Sequence, residues 1–159
     1  MDYAAFSLYF YSDTAIYGCG ENINKLEKSV RTYIRRAIQF KQDMVVKFLL
    51  AIHQLVLDLT GSCESSYSLF YDGETKTEDS FLLDAIQKHE SLYCLTLYVK
   101  QKYAAVMMNQ MDTAAELYDL VLKYQVKGAG RVFGVINTTF VDGLIAFDAA
   151  RRLDEDRAK

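Results

Sequence analysis

The chain has 159 residues, 51% hydrophobic and 25% charged, with a net charge of −3: enough for one domain with a real core, and no charge bias toward nucleic acid or membranes. It has no proline and no tryptophan but twelve tyrosines and nine phenylalanines, which favours long helices, short connections and broad aromatic contacts. No stretch reaches about 18 uninterrupted apolar residues, MDYAAFSLYFY carries an acid where a signal peptide carries positive charge, and Cys19, Cys63 and Cys94 lack CxxC spacing, so an intracellular, cytoplasmic protein with reduced thiols is expected.

Asp2 can cap a first helix running to Tyr17, with Tyr3, Phe6, Tyr9 or Phe10 and Ile16 inward, and Gly18 and Gly20 stopping it. Asn22 opens a second, with Ile23, Leu26, Val30, Tyr33, Ile34 and Ala37 at spacings of three and four. No Gly or Pro follows before Leu59, but one helix that long would span about 57 Å, too much for so small a domain. A turn is therefore predicted near Phe40–Asp43, with Asp43 as cap. Val45, Phe48, Leu49, Ile52, Leu55, Val56 and Leu59 line the third helix, which Gly61 ends. Residues 62–77, SCESSYSLFYDGETKT, form the one long loop, pinned by Tyr67, Leu69, Phe70 and Tyr71. A short helix begins at Glu78 or Asp79. Longer ones run from about Glu90 to Met108 and from Asp112 to about Gln125. KGAG at 127–130 breaks the pattern. The last helix, NTTFVDGLIAFDAARR, carries Phe140, Leu144, Phe147 and Ala150 at helical spacing, close to Lys159. That makes about seven helices joined as antiparallel neighbours.

LYVKQKYAAVMMNQMDTAAELYDLV compares with a tetratricopeptide repeat (TPR), a helix–turn–helix unit of about 34 residues. Asn109 falls at the tight turn, where asparagine tolerates left-handed backbone. Ala114 takes the small close-approach position, Tyr118 the aromatic one, Val121 the next apolar one, and Tyr98 the early bulky one. Ala105 stands where a Tyr is usual and Lys102 where a Gly is usual. Over nearly its whole length the chain resembles the TPR-like helical region of large multidomain signalling proteins. DYAAFSLYFYSDTAIYGCGENINKLEKSVRTY, QMDTAAELYDLVLKY and NTTFVDGLIAFDAARR carry that resemblance. In that family the region follows a protein kinase and an AAA-type ATPase domain and precedes sensor, histidine kinase or nucleotide cyclase domains. The resemblance implies that catalysis belongs to those other domains. It also implies that the last helix is the first half of a hairpin whose second half is missing here; otherwise Phe140, Leu144 and Phe147 face inward.

Several stretches invite chemistry. GAGRVFG at 128–134 places glycines and Arg131 ahead of a helix, but a phosphate loop needs a preceding strand and a following Lys-Ser or Lys-Thr, so it reads as an inter-helix turn. Lys25, Lys28, Arg31, Arg35, Arg36, Lys41 and Lys47 face only Glu21, Glu27 and Asp43, and Lys28, Arg31 and Arg35 share one helix face. Such a run is a solvated face or a docking surface for an acidic partner; it lacks the interleaved aromatics of single-strand nucleic-acid binders. His53, among Leu49, Ile52 and Val56, reads as a buried structural histidine. Metal sites want more ligands at tight spacing than His53 and His89 supply, and a Cys94–His89 nucleophilic pair has no third group to orient it. Met107, Met108 and Met111 suit a core or an adaptable surface. The Asn137-Thr138-Thr139 sequon is inert in an intracellular helix.

The expected fold is all-α: antiparallel helical hairpins stacked as a TPR-like solenoid or bundle, with residues 1–159 one domain, a fragment or cut short at its C-terminal end. The expected function is a non-catalytic scaffold in signal transduction, with no catalytic, cofactor-binding or metal residues. Its contact surface is expected to comprise Lys28, Arg31, Arg35, Arg36, Tyr98, Lys102 and Met108. The partner is a protein or peptide, or neighbouring domains of a larger protein, with no nucleic acid and no membrane. Self-association through the C-terminal helix is a further expectation. The alternatives are a regulatory fragment of a larger kinase, ATPase or cyclase, or a small helical enzyme or ligand-binding bundle.

Overall fold

The structure, a computed structural model, describes residues 3–17, 20–61, 68–71, 74–124 and 135–157. Among them are seven helices: α1 (Tyr3–Tyr17), α2 (Ile23–Gln39), α3 (Asp43–Thr60), α4 (Glu78–Gln87), α5 (Ser91–Met107), α6 (Met111–Lys123) and α7 (Val135–Arg157). Within the stretch read as loop lies one antiparallel hairpin, β1 (Ser68–Tyr71) and β2 (Glu74–Thr77), in register Ser68 to Thr77 and Tyr71 to Glu74. The chain divides into two compact units, Met1–Cys94 and Leu95–Lys159, with the boundary inside α5.

In the first unit, α1, α2 and α3 pack on one another. α3 is apolar on nearly every face, and Val45, Phe48, Leu49, Ile52, Leu55 and Val56 are all buried, as expected for a helix that fills a core. Leu26, Val30, Ile34 and Ala37 form the matching stripe on α2. Phe48 meets α1 through Tyr9 at 5.2 Å and Phe6 at 5.8 Å between ring centroids. Each such buried side chain contributes about 1.5–3 kcal/mol of transfer free energy. Asn22 caps α2, its side-chain oxygen accepting from the N–H groups of Asn24 and Lys25 at 3.0 and 3.2 Å. Gly61 ends α3 in the left-handed conformation, φ 67°. Asp43 is not a cap: it is the first residue of α3, and Gln42 before it makes no side-chain cap bond.

Three helix–helix corners share one geometry. At α2–α3 the Lys41 N–H donates to Ile38 O and the Gln42 N–H to Ala37 O. At α4–α5, His89 donates to Ile86 and Glu90 to Ala85; at α5–α6, Asn109 donates to Val106 and Gln110 to Ala105. This is the Schellman pattern. In each case the turning residue is a non-glycine at positive φ, 53° for Lys41, 56° for His89 and 58° for Asn109, and a buried alanine lies four residues before it.

In the second unit, Ala105, Val106, Ala114, Val141 and Ile145 form the core, with Tyr103, Met111, Leu117, Tyr118 and Leu144 packed around it. The alanines let α5 and α6 approach closely. α7 turns Val141 and Ile145 inward, 2% and 8% exposed, while Phe140 and Phe147 face out at 61% and 71%. Of the Phe140, Leu144 and Phe147 stripe, only Leu144 is partly covered, so the stripe does not face inward.

Candidate functional site

Because α2 buries Leu26, Val30, Ile34 and Ala37, it must present its opposite side to solvent. Lys25, Lys28, Arg31, Arg35 and Arg36 occupy that side, all exposed. From Lys25 to Arg36 the row is about 17 Å long at the helical rise, and exposed Lys41 extends it at the corner.

Glu27 anchors the row to the core. Its Oε1 accepts from Arg31 Nη2 at 2.6 Å and Nε at 2.9 Å, and lies 3.0 Å from Nε2 of His53 on α3. An ionised carboxylate only accepts, so this imidazole nitrogen is assigned the proton. Burial pushes the His53 imidazole below its ordinary value, against the pull of Glu27. Burial also works against the Glu27 carboxylate, but the hydrogen bonds from His53 and Arg31 outweigh it and hold the carboxyl below its usual range. Lys25 pairs with Glu21 at 3.5 Å. Among the described residues, Lys28, Arg35 and Arg36 have no ion-pair partner. Their positive charge is therefore directed to solvent.

The first unit also holds a cleft of about 930 Å³ where the α2–α3 and α4–α5 corners meet. Lys41, Asp43, Met44, Lys47, His89 and Glu90 line its mouth. Lys47 is ion-paired to Glu90 and lies 6.0 Å from the Tyr93 ring centroid, while Lys88 pairs with Asp84 at 2.9 Å. The cleft thus mixes apolar and polar lining, and its own carboxylates neutralise Lys47 and Lys88. Burial pushes the thiol of Cys94 upward; Glu90 adds to this and Lys47 opposes it. That is the reverse of what a thiolate nucleophile needs. No group of three or more His, Cys, Asp or Glu among the described residues could hold a metal ion, and no helix among them is long and apolar enough to cross a membrane.

The other three expected surface residues belong to the second unit. Met108 is 42% exposed at the α5–α6 turn, beside Met107. Tyr98 and Lys102 depart from the expectation of a free face. Tyr98 is 8% exposed and stacks on Tyr124 at 5.5 Å. The Lys102 side chain is 1% exposed, ion-paired to Asp142 of α7 and 5.4 Å from the Tyr118 ring centroid. Tyr98 is held by Tyr124 at the end of α6, and Lys102 by a carboxylate of α7 that a single repeat would not supply. Gly128–Gly134, read as an inter-helix turn, lies outside the described residues. Sequence inspection missed the Glu27–His53 and Lys102–Asp142 pairs; the one available signal was Glu27 and Asp142 each lying beside buried apolar positions, Leu26 and Val141.

No protein-family model matches this chain, and neither a characterised protein nor a solved structure is similar enough to lend it a family.

Proposed function

We propose that this protein is a non-catalytic, TPR-like scaffold of helical hairpins that captures an acidic segment of a partner protein on the exposed face of α2. The observation that carries the reading is the row Lys28, Arg35 and Arg36, exposed and without ion-pair partners among the described residues, on a helix held rigidly by its apolar face and by Glu27–His53. Fixed, desolvation-free cations accelerate and orient encounters with acidic chains more than they add affinity. The three corners of one geometry support the hairpin-stack part of the reading, since stacked repeats reuse one turn. The cytoplasm and a signalling role, within a larger kinase, ATPase or cyclase chain or outside one, are part of the same proposal.

The test is fluorescence anisotropy of the full chain with labelled glutamate-rich peptides. Binding should weaken steeply with added salt. Combined Lys28→Glu, Arg35→Glu and Arg36→Glu reversal should lower affinity at least about tenfold while the circular dichroism melt persists. Unchanged capture by the reversed variant, or tighter binding of single-stranded RNA than of peptide, removes the proposal.

A further inference from the structure

The basic row of α2 leads into the cleft of the same unit. Lys28, Arg31, Arg35 and Ile38 follow one another at i, i+3, i+7 and i+10, so they lie along one side of the helix. The last of them lines the cleft, and so does Lys41, the cation that extends the row at the corner. Met44, Phe48, Leu92 and Tyr93 join Ile38 as the apolar part of the lining. Phe48 is 1% exposed and Met44 48%, so this apolar wall runs from the core out to solvent. Two of the cations in the cleft are already matched, Lys47 by Glu90 and Lys88 by Asp84. An uncharged side chain can therefore enter without stranding an ion, whereas another carboxylate adds to Asp43, Asp84 and Glu90. Among the described residues, Lys41 and Asp43 have no ion-pair partner. The cleft volume of about 930 Å³ leaves ample room for one bulky side chain.

We infer that the cleft takes a large aromatic side chain carried by the same acidic segment that the face of α2 captures; the inference rests on that reading and adds an anchor to it. Acidic residues lie along Lys28, Arg35 and Lys41, and the anchor follows them past Ile38 into the cleft. The rings of Phe48 and Tyr93 and the thioether of Met44 suit an aromatic occupant. Lys28 to Ile38 is about 15 Å along the helix, the reach of about five extended residues. The partner motif is thus a run of about five acidic residues ending on an aromatic one. Asp43, two residues past Lys41 on the same cleft, repels a carboxylate placed beyond the anchor, so the acidic run stops where the anchor enters. The division of labour follows: the exposed cations steer the segment, and one side chain seated in a pocket supplies most of the affinity.

Fluorescence anisotropy of the full chain tests this with labelled peptides of five glutamates ending in phenylalanine or in serine, each made also in reverse order. In one of the two orders phenylalanine should tighten binding at least about tenfold over serine. Met44→Ser, at a side chain already half exposed, should shrink that advantage at least about threefold while the thermal melt persists. A benzophenone in place of the phenyl ring should cross-link to Met44. Equal binding of the phenylalanine and serine peptides overturns the inference and leaves the basic-face reading standing; no salt-sensitive binding of either peptide removes both. An advantage of phenylalanine indifferent to Met44→Ser, or a cross-link to the exposed Met107 and Met108 instead, would also overturn it.

Discussion

Lys102 on α5 and Asp142 on α7 are joined across forty residues of sequence, with the lysine side chain 1% exposed and the aspartate 31%. The ring of Tyr118 lies 5.4 Å from the ammonium, so one lysine ties all three helices of its unit together. Burying an ammonium is costly, and its carboxylate partner offsets that cost only while it is present. Asp142→Ala should therefore destabilise the unit by about 3 kcal/mol, the lower end for breaking a buried pair because Asp142 is partly wet. Lys102→Met removes the demand itself and should be neutral or stabilising by about 1 kcal/mol. Urea unfolding followed by circular dichroism checks both. Equal losses from the two variants would show that the charge pair is not what orders these helices.

His53 and Glu27 set an acid limit on the first unit. The folded His53 titrates below its ordinary 6.5, so below that pH the unfolded chain binds the proton more readily and stability falls until the folded imidazole also protonates. The folded Glu27 carboxyl titrates below its ordinary 4.5; its contribution is present above that value and lost as pH falls through the folded pKa. Both effects act in the same direction. The urea midpoint should decline below about pH 6.5 and again below about 4.5. His53→Gln should flatten the upper decline and shrink the lower one to the part that Arg31 sustains. A midpoint that rises on acidification from neutrality would contradict the assignment of a neutral, buried His53.

How much of this was open to inspection in the sequence depends on whether a contact is local. Asn22 as cap, Gly61 as stop and the left-handed turn at Asn109 are local chemistry, and all three stand where the residue types put them. The turn after α2 was placed from length alone, and it lies at Phe40–Gln42 with Asp43 one step too late to cap. The hairpin escaped because Ser68–Tyr71 and Glu74–Thr77 do not alternate in polarity, although Asp72–Gly73 between them is a strong hairpin dipeptide. Tyr98 and Lys102 were misplaced because their environment comes from α6 and α7. Similarly, the outward turn of Phe140 and Phe147 follows from Val141 and Ile145 winning the contact with the core, a competition between two apolar stripes that periodicity does not rank.

The three left-handed corners offer a graded test of strain. A non-glycine residue in this conformation costs on the order of 1 kcal/mol, and asparagine less than most. Glycine at Lys41 or His89 should raise stability by about 0.5–1 kcal/mol, because relief of strain outweighs the added freedom of the unfolded chain. Asn109→Gly should gain less. Valine at any of the three should cost more than 1 kcal/mol, roughly, since branching at Cβ worsens the same clash. Thermal melts of the six variants give the ranking. A destabilising His89→Gly would mean that the imidazole makes a contact worth more than the strain it imposes.

The basic row on α2 carries its own cost. Arg31 and Arg35 are four residues apart on one exposed face, and like charges at that spacing oppose helix formation by about 0.2–0.5 kcal/mol. Glu27 compensates Arg31 alone. Arg35→Glu replaces a repulsion by an attraction and should stabilise the isolated protein by a few tenths of a kcal/mol at low salt, an increment that fades as salt screens it. The same substitution should weaken capture of acidic peptides. Opposite signs for stability and binding in one variant are what a surface kept for another molecule produces. If Arg35→Glu instead lowers the melting temperature, the arginine serves the fold, and the row loses its central cation as a docking group.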